Sequence, residues 1–356
     1  MGQLKQVCEL IHQFGLLKLV GVKRRHDRGL PMVRGYVTVR VLWALLNAGV
    51  MDELAERGEC TLQELAGKLK LDEGTLRHLC DYMDCVRVLN RTAPDHYELD
   101  DLGRTMLAEP RGVVDLMYGY EPIFVSLNEM LAGLKKYGDD VERRGDFIAM
   151  GSGELGRQLP FPVMADMIQK HGFTRLLDLG CGDLEFLFSI CELTDAQCFG
   201  IDISEDAIRH ARTRLDASPH KDRVHVALAD MFALEDIASQ WPDIDCITVC
   251  DTFHEHLSDG TGKIEALLVK LGQWFPKAAM VVAEFCRQSH EKLKKRPTGF
   301  LEHHLFHALT RQIILSADEW HRVFDAAGWR VRQERIYDIV GHGYFVLERR
   351  TASSGS

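Results

Sequence analysis

The chain has 356 residues, 46% of them hydrophobic and 27% charged, a length and balance that fit two globular domains and exclude a fibrous or low-complexity chain. Its formal net charge of -10 argues against nucleic acid as the main partner, and no run of about 18 apolar residues exists to span a membrane. Ten cysteines without a Cys-x-x-Cys pair read as reduced thiols, and Lys5, Glu9, His12 and Lys18 interrupt any secretory core, so a cytoplasmic protein is expected.

Val7 to Val20 places apolar residues at helical spacing, and the basic run Lys23 to Arg28 behind it reads as a solvated helix end. From Tyr36 to Glu109 the pattern is three helices and a hairpin. Thr38 to Ala48 is the first; Thr61-Leu62-Gln63-Glu64 is a capping box opening the second; Asp72 caps the third, whose Leu76, Leu79, Cys80, Met83 and Val86 share a face. Val88 to Leu99, broken at Pro94-Asp95, completes a winged-helix outline, which raises a DNA-binding regulator as one reading. Yet the segment holds 8 Lys and Arg against 14 Asp and Glu, a balance that a phosphate backbone repels.

After Pro110 and Gly112, Leu116 to Leu134 reads as one apolar helical segment. Tyr137-Gly138-Asp139-Asp140-Val141-Glu142-Arg143-Arg144 and then Gly151-Ser152-Gly153 follow, the glycines reading as a mobile or tightly turned lid and Arg143 as a fork for a substrate carboxylate. The expected division is therefore 1–109 winged helix, 110–159 linker and lid, 160–350 catalytic domain, and 351–356 a disordered tail or cloning remnant.

Beyond residue 160 strands and helices alternate. Arg175 to Leu179 is a buried-strand run that stops at Gly180 and Gly182, one residue apart, where a tight turn brings backbone against a ligand. The next strand ends on Asp202, about 20 residues on, where a carboxylate meets ribose hydroxyls. Further strands end at Asp230, at Asp251 and at Glu284, and two last ones flank a Gly-His-Gly turn. Ligands bind beyond the carboxyl ends of parallel strands, so Asp230 is placed to accept from an adenine amino group with Met231 against the ring.

Leu-Asp-Leu-Gly-Cys-Gly, Gly200-Ile201-Asp202-Ile203-Ser204 and Ala229-Asp230-Met231-Phe232 resemble, in order and spacing, the class I S-adenosylmethionine (SAM) dependent methyltransferases. The resemblance implies an α/β fold, a Rossmann-like seven-stranded, mostly parallel sheet, with Asp178 near the cationic methionine end of SAM. The preceding domain resembles the winged-helix dimerisation domain of small-molecule O-methyltransferases, which implies a homodimer. In those enzymes a histidine followed by an acid takes the proton of the substrate hydroxyl, and His254-Glu255 matches that pair, with His256 where a tryptophan normally stands.

A second histidine group, His303, His304 and His307, lies in the later insertion; on a helix His303 and His307 share a face while His304 points about 100° away. Phe253-His254-Glu255, Glu284-Phe285-Cys286-Arg287, and His307-Ala308-Leu309-Thr310-x-Gln312 ahead of Asp318-Glu319-Trp320 resemble the bacterial 2-oxo acid C-methyltransferases of natural-product pathways. That narrower resemblance implies a metal ion, of iron or zinc type, held between His254 and His307. Metal-free O-methylation of a phenol or enol with His254 as base, and another use of SAM altogether, remain open on the sequence.

Overall fold

The computed structural model describes residues 2–108, 110–299 and 301–350; the expected tail and Glu109 lie outside the described residues. The chain separates into two compact units, with the division between Asp115 and Leu116.

The first unit begins with helices Gly2–Phe14 and Leu16–Asn47, the latter running straight through the basic stretch and Pro31. Lys23 to Arg28 is thus mid-helix and not a helix end; as part of a 32-residue helix it faces solvent, and Lys23 pairs with Asp27 one turn on. Helices Val50–Arg57, Leu62–Leu69 and Glu73–Cys85 follow. The capping box forms as its residues dictate, with Glu64 N–H donating to Thr61 Oγ1 at 3.2 Å and Thr61 N–H to Glu64 Oε2 at 2.8 Å. Leu76, Cys80 and Met83 are buried among Leu42, Leu45, Val50 and Tyr97. The expected hairpin is β2 (Leu89–Ala93) and β3 (His96–Leu99), and β1 (Glu59–Thr61) adds a third antiparallel strand beside β3. Three residues are too few for β1 to show a period in the sequence.

In the second unit the expected single helix over Leu116 to Leu134 is cut into pieces, Glu121–Val125 and Leu127–Leu131 after the helix that ends at Gly119, because Pro122 sits at a new helix start and Ser126 forms a corner. Gly151-Ser152-Gly153 is no lid hinge: it lies inside helix Gly145–Gln158. Small residues there serve packing, since a Cβ on Gly156 would overlap the Phe161 ring and Gly151 is itself buried.

The main sheet is seven-stranded, in the order β6-β5-β4-β7-β8-β10-β9: β4 Arg175–Leu179, β5 Gln197–Asp202, β6 Val224–Leu228, β7 Cys246–Cys250, β8 Ala279–Phe285, β9 Trp329–Tyr337 and β10 His342–Arg349. All pairings through β8 are parallel, while β10 is antiparallel to both neighbours. Burial on both faces explains the continuous apolar runs in β4, β7 and β8. Chain order reverses between β4 and β7, so the loops leaving these two strands part there and open a crevice, the switch point at which open α/β sheets take their ligands. His342, expected in a turn, is the first residue of β10 and pairs with Phe285.

Candidate functional site

Gly180 and Gly182 carry φ of +86° and +50°, a left-handed path that only glycine follows without strain. It lets the Gly180 and Cys181 N–H groups both reach Ile201 O, at 2.9 and 2.8 Å, fastening the turn to the end of β5. There the Asp202 carboxylate accepts from Gly182 N–H at 3.0 Å through one oxygen and from Ser204 N–H at 2.8 Å through the other. A Cβ on Gly180 would lie 3.4 Å from the Thr252 side chain, at van der Waals contact.

Asp178 points inward and is 3% exposed, its carboxylate held by Thr248 Oγ1 at 2.9 Å. Burial lifts this carboxyl to about 7, the Thr248 hydrogen bond working against the rise and the Asp202 charge adding to it. Asp230 is exposed beyond β6 and accepts from Phe232 N–H at 2.9 Å, while Met231 packs into the core beneath. The five residues expected to contact the nucleoside therefore all stand at the carboxyl ends of β4, β5 and β6.

Beyond β7 the chain turns at Asp251, whose φ of +51° is held by its N–H to Ala283 O and its carboxylate to His342 Nε2, at 2.9 and 2.7 Å. This corner launches the short 3-10 turn Phe253–His256. Glu284, fully buried at the end of β8, anchors that turn twice: one oxygen takes Phe253 N–H at 2.6 Å and the other faces His254 Nδ1 at 2.9 Å. Burial pushes the His254 imidazole down, but the Glu284 carboxylate, with Asp251 and Glu255 behind it, carries it above its ordinary value. Burial raises the Glu284 carboxyl in turn, and the facing imidazole opposes that rise.

Helix Leu301–Leu309 brings the second histidine group against the first. The His254 and His307 ring centroids are 4.9 Å apart, and those of His303 and His307 5.7 Å. His307 is 4% exposed and its Nδ1 lies 2.7 Å from His303 O, which leaves Nε2 as its outward donor. Burial drives His307 to about 2 and His303 to about 4, so both stay neutral with a lone pair to give. His304 lies apart from this stack, half buried on the wall of a cavity of about 710 Å³ that Arg287 and Arg311 also line. Arg143 meets Glu255 at 2.5 Å, and Gln312 Nε2 donates to the same oxygen at 2.9 Å. Burial pulls the Arg143 guanidinium down, and the Glu255 carboxylate more than offsets this.

Among the described residues, Asp251, His254 and Glu284 form a cluster whose potential metal-donor atoms lie within 4.8 Å of one another. Hydrogen bonds already engage it, since Glu284 is committed to the 253–254 turn and Asp251 to His342. In His254 and His307 the ring nitrogen not turned to a neighbouring oxygen is Nε2. In each ring Nδ1 meets an oxygen, the arrangement that fixes a ligating tautomer.

Residues 170–328 match a family model described as a methyltransferase domain. The protein is a SAM-dependent methyltransferase. It is 27% identical over 262 residues to the indolepyruvate C-methyltransferase of Streptomyces griseus, which spans 72% of this chain and 75% of that protein. It is 23% identical over 327 residues to the 2-ketoarginine methyltransferase of Streptomyces arginensis, spanning 89% and 93% of the two chains. Its fold is that of a mitomycin 7-O-methyltransferase, with a TM-score of 0.68 at 16% identity over 93% of this chain and 100% of that one. Human N-acetylserotonin methyltransferase, solved in complex with SAM, shares the fold with a TM-score of 0.66 at 14% identity, over 92% and 98%.

The methyltransferase's motifs located its strand ends, but two groups that hold the site carried no role in the sequence. Glu284 is a lone acid ending an apolar run and reads as any strand-end residue; Gln312 lies 57 positions from the Glu255 it binds. Only their partners give them meaning.

Proposed function

We propose that this methyltransferase transfers the SAM methyl group to the carbon next to the keto group of a small 2-oxo acid, with a first-row metal ion of iron or zinc type held by His254 and His307. The observation that carries this reading is the pair of imidazoles 4.9 Å apart, each with Nδ1 facing an oxygen. Both curated relatives act on 2-oxo acids by name. When bound, such an ion supplies Lewis-acid polarisation of the keto oxygen, worth several kcal/mol toward enolate character.

The chain's own residues do the rest. The glycine turn with Gly180, the Asp202 carboxylate, and Asp230 with Met231 receive the ribose and adenine of SAM, and Asp178 faces its methionine end. Arg143 spends one terminal nitrogen on Glu255 and keeps further N–H donors for the substrate carboxylate. Glu284 fixes the His254 ring so that Nε2 faces the acceptor. The substrate carbon gives its proton to water as the enolate forms, its electron pair takes the methyl group, and the sulfur keeps the C–S pair as S-adenosylhomocysteine. Alignment of carbon and methyl supplies most of the remaining acceleration. The winged-helix unit pairs two subunits through its first two helices, where Leu4, Leu17, Met32, Val33 and Tyr36 are exposed.

A second reading, metal-free O-methylation of a phenol or enol, rests on the His254–Glu284 pair, in which Nε2 would take the hydroxyl proton while Nδ1 stays with the carboxylate. Metal analysis of protein purified without added metal separates the two. Bound iron or zinc that His307→Ala removes is the expected result. Metal-free wild-type protein that still methylates a phenol, and loses this with His254→Ala but not His307→Ala, establishes the second reading instead.

A further inference from the structure

Four imidazoles from three separate segments converge on one phenyl ring. The Phe285 centroid lies 5.2 Å from that of His254, 5.3 Å from His303, 5.3 Å from His307 and 5.2 Å from His342. Three of these contacts are edge-to-face, with interplanar angles of 69°, 62° and 86° for His254, His307 and His342. Such geometry sets the positive ring edge against a facing π surface, an attraction beyond that of burial alone.

The ring is itself held firmly. Phe285 ends β8, pairs in register with His342 of β10, and its carbonyl accepts from Trp320 Nε1 at 3.1 Å. The residue before it, Glu284, fixes His254 by hydrogen bond. Among the described residues the His307 ring's own hydrogen bond stays within its helix, at His303 O, while Gln312 beyond the helix end donates to Glu255 of the β7 turn. Phe285 is thus a side chain on the sheet that touches both that helix's imidazole and the one on the β7 turn, which also meet each other.

We infer that Phe285 is a positioning residue that sets the spacing between His254 and His307 and thereby the metal affinity of the pair; this rests on the two-histidine reading proposed above. A side chain on a strand end, pinned from both sides, holds such a spacing more tightly than one on a loop.

Cobalt(II) titration of metal-free protein, followed by its ligand-field absorption, tests this alongside SAM affinity by calorimetry. Phe285→Leu keeps the apolar character and removes the aromatic edges; it is expected to weaken cobalt binding about tenfold or more, as loss of an outer-shell support does, with SAM affinity unchanged. Phe285→Tyr, which keeps the ring, is expected to bind cobalt close to wild type. Phe324→Leu is the control: this core ring packs on Trp320 and Phe345, so its loss lowers Tm and leaves cobalt affinity alone. Wild-type cobalt affinity in Phe285→Leu, or equal weakening by Phe324→Leu, overturns the inference while leaving the metal site standing. Failure of wild-type protein itself to bind cobalt removes the two-histidine reading and this inference together.

Discussion

His254 Nδ1 and Glu284 Oε2 meet at 2.9 Å with both side chains buried, across 30 residues of sequence. The same carboxylate holds Phe253 N–H, so a single acid fixes the backbone and the side chain of the turn that faces the crevice. Glu284→Gln keeps the shape and removes the charge. An amide can accept Phe253 N–H with its one oxygen, but its NH2 then confronts the imidazole N–H. The account predicts a fall in kcat of about 10- to 100-fold with SAM affinity retained, the usual cost of losing an orienting carboxylate. Unchanged kcat by stopped assay with labelled SAM would show that Glu284 does not orient His254.

Asp178 gives the pH dependence a sign. Its carboxyl is raised from the ordinary carboxylate range to about 7 because it is buried. An acid raised on folding stays protonated in the native state while the unfolded chain has already ionised, so between about pH 4 and 7 the native state binds more protons and the contribution of this group to stability falls as pH rises. A cation placed beside it favours the carboxylate and reverses the shift. SAM binding near pH 6.5 is therefore expected to release protons, seen as a calorimetric enthalpy that varies with buffer ionisation enthalpy. Asp178→Asn should abolish the release. Proton release that persists in Asp178→Asn would place the sulfonium nucleoside elsewhere.

How much of this was legible depended on whether a residue's meaning was local. The capping box Thr61–Glu64, the Asp72 cap and the two-glycine turn are short-range devices, and each forms where its residues stand. The central strands β4, β7 and β8 followed from apolar runs buried on both faces, and the seven-stranded sheet from the family resemblance. Gly151-Ser152-Gly153 misled because glycine serves close packing as readily as turning, and nothing local shows that the helix around Gly156 packs on Phe161. Lys23 to Arg28 misled because polar residues end many helices and also clothe the middle of exposed ones. His254 and His307 were both legible as histidines of interest; that Phe285 stands between His342 and them was not, since it joins β8, β10 and an inserted helix.

The first two helices carry the clearest unpartnered surface. Leu17 is 89% exposed and Met32 79%, and helix Gly2–Phe14 buries no residue at all. A second copy of the chain is the occupant proposed for these exposed apolar residues. Sedimentation is expected to show a dimer, and Leu17→Glu with Met32→Glu to shift it to monomer without loss of helical content. A monomeric wild-type chain at micromolar concentration would contradict the pairing.

The central claim concerns the atom that receives the methyl group. Incubation of the metal-loaded protein with SAM carrying a 13C-labelled methyl and a panel of 2-oxo acids, read by 13C NMR, tests it directly. The account predicts a new carbon-bound methyl signal on the carbon adjacent to the keto group, dependent on both His254 and His307. A label found on oxygen, with 2-oxo acids untouched and His307→Ala fully active, would contradict it.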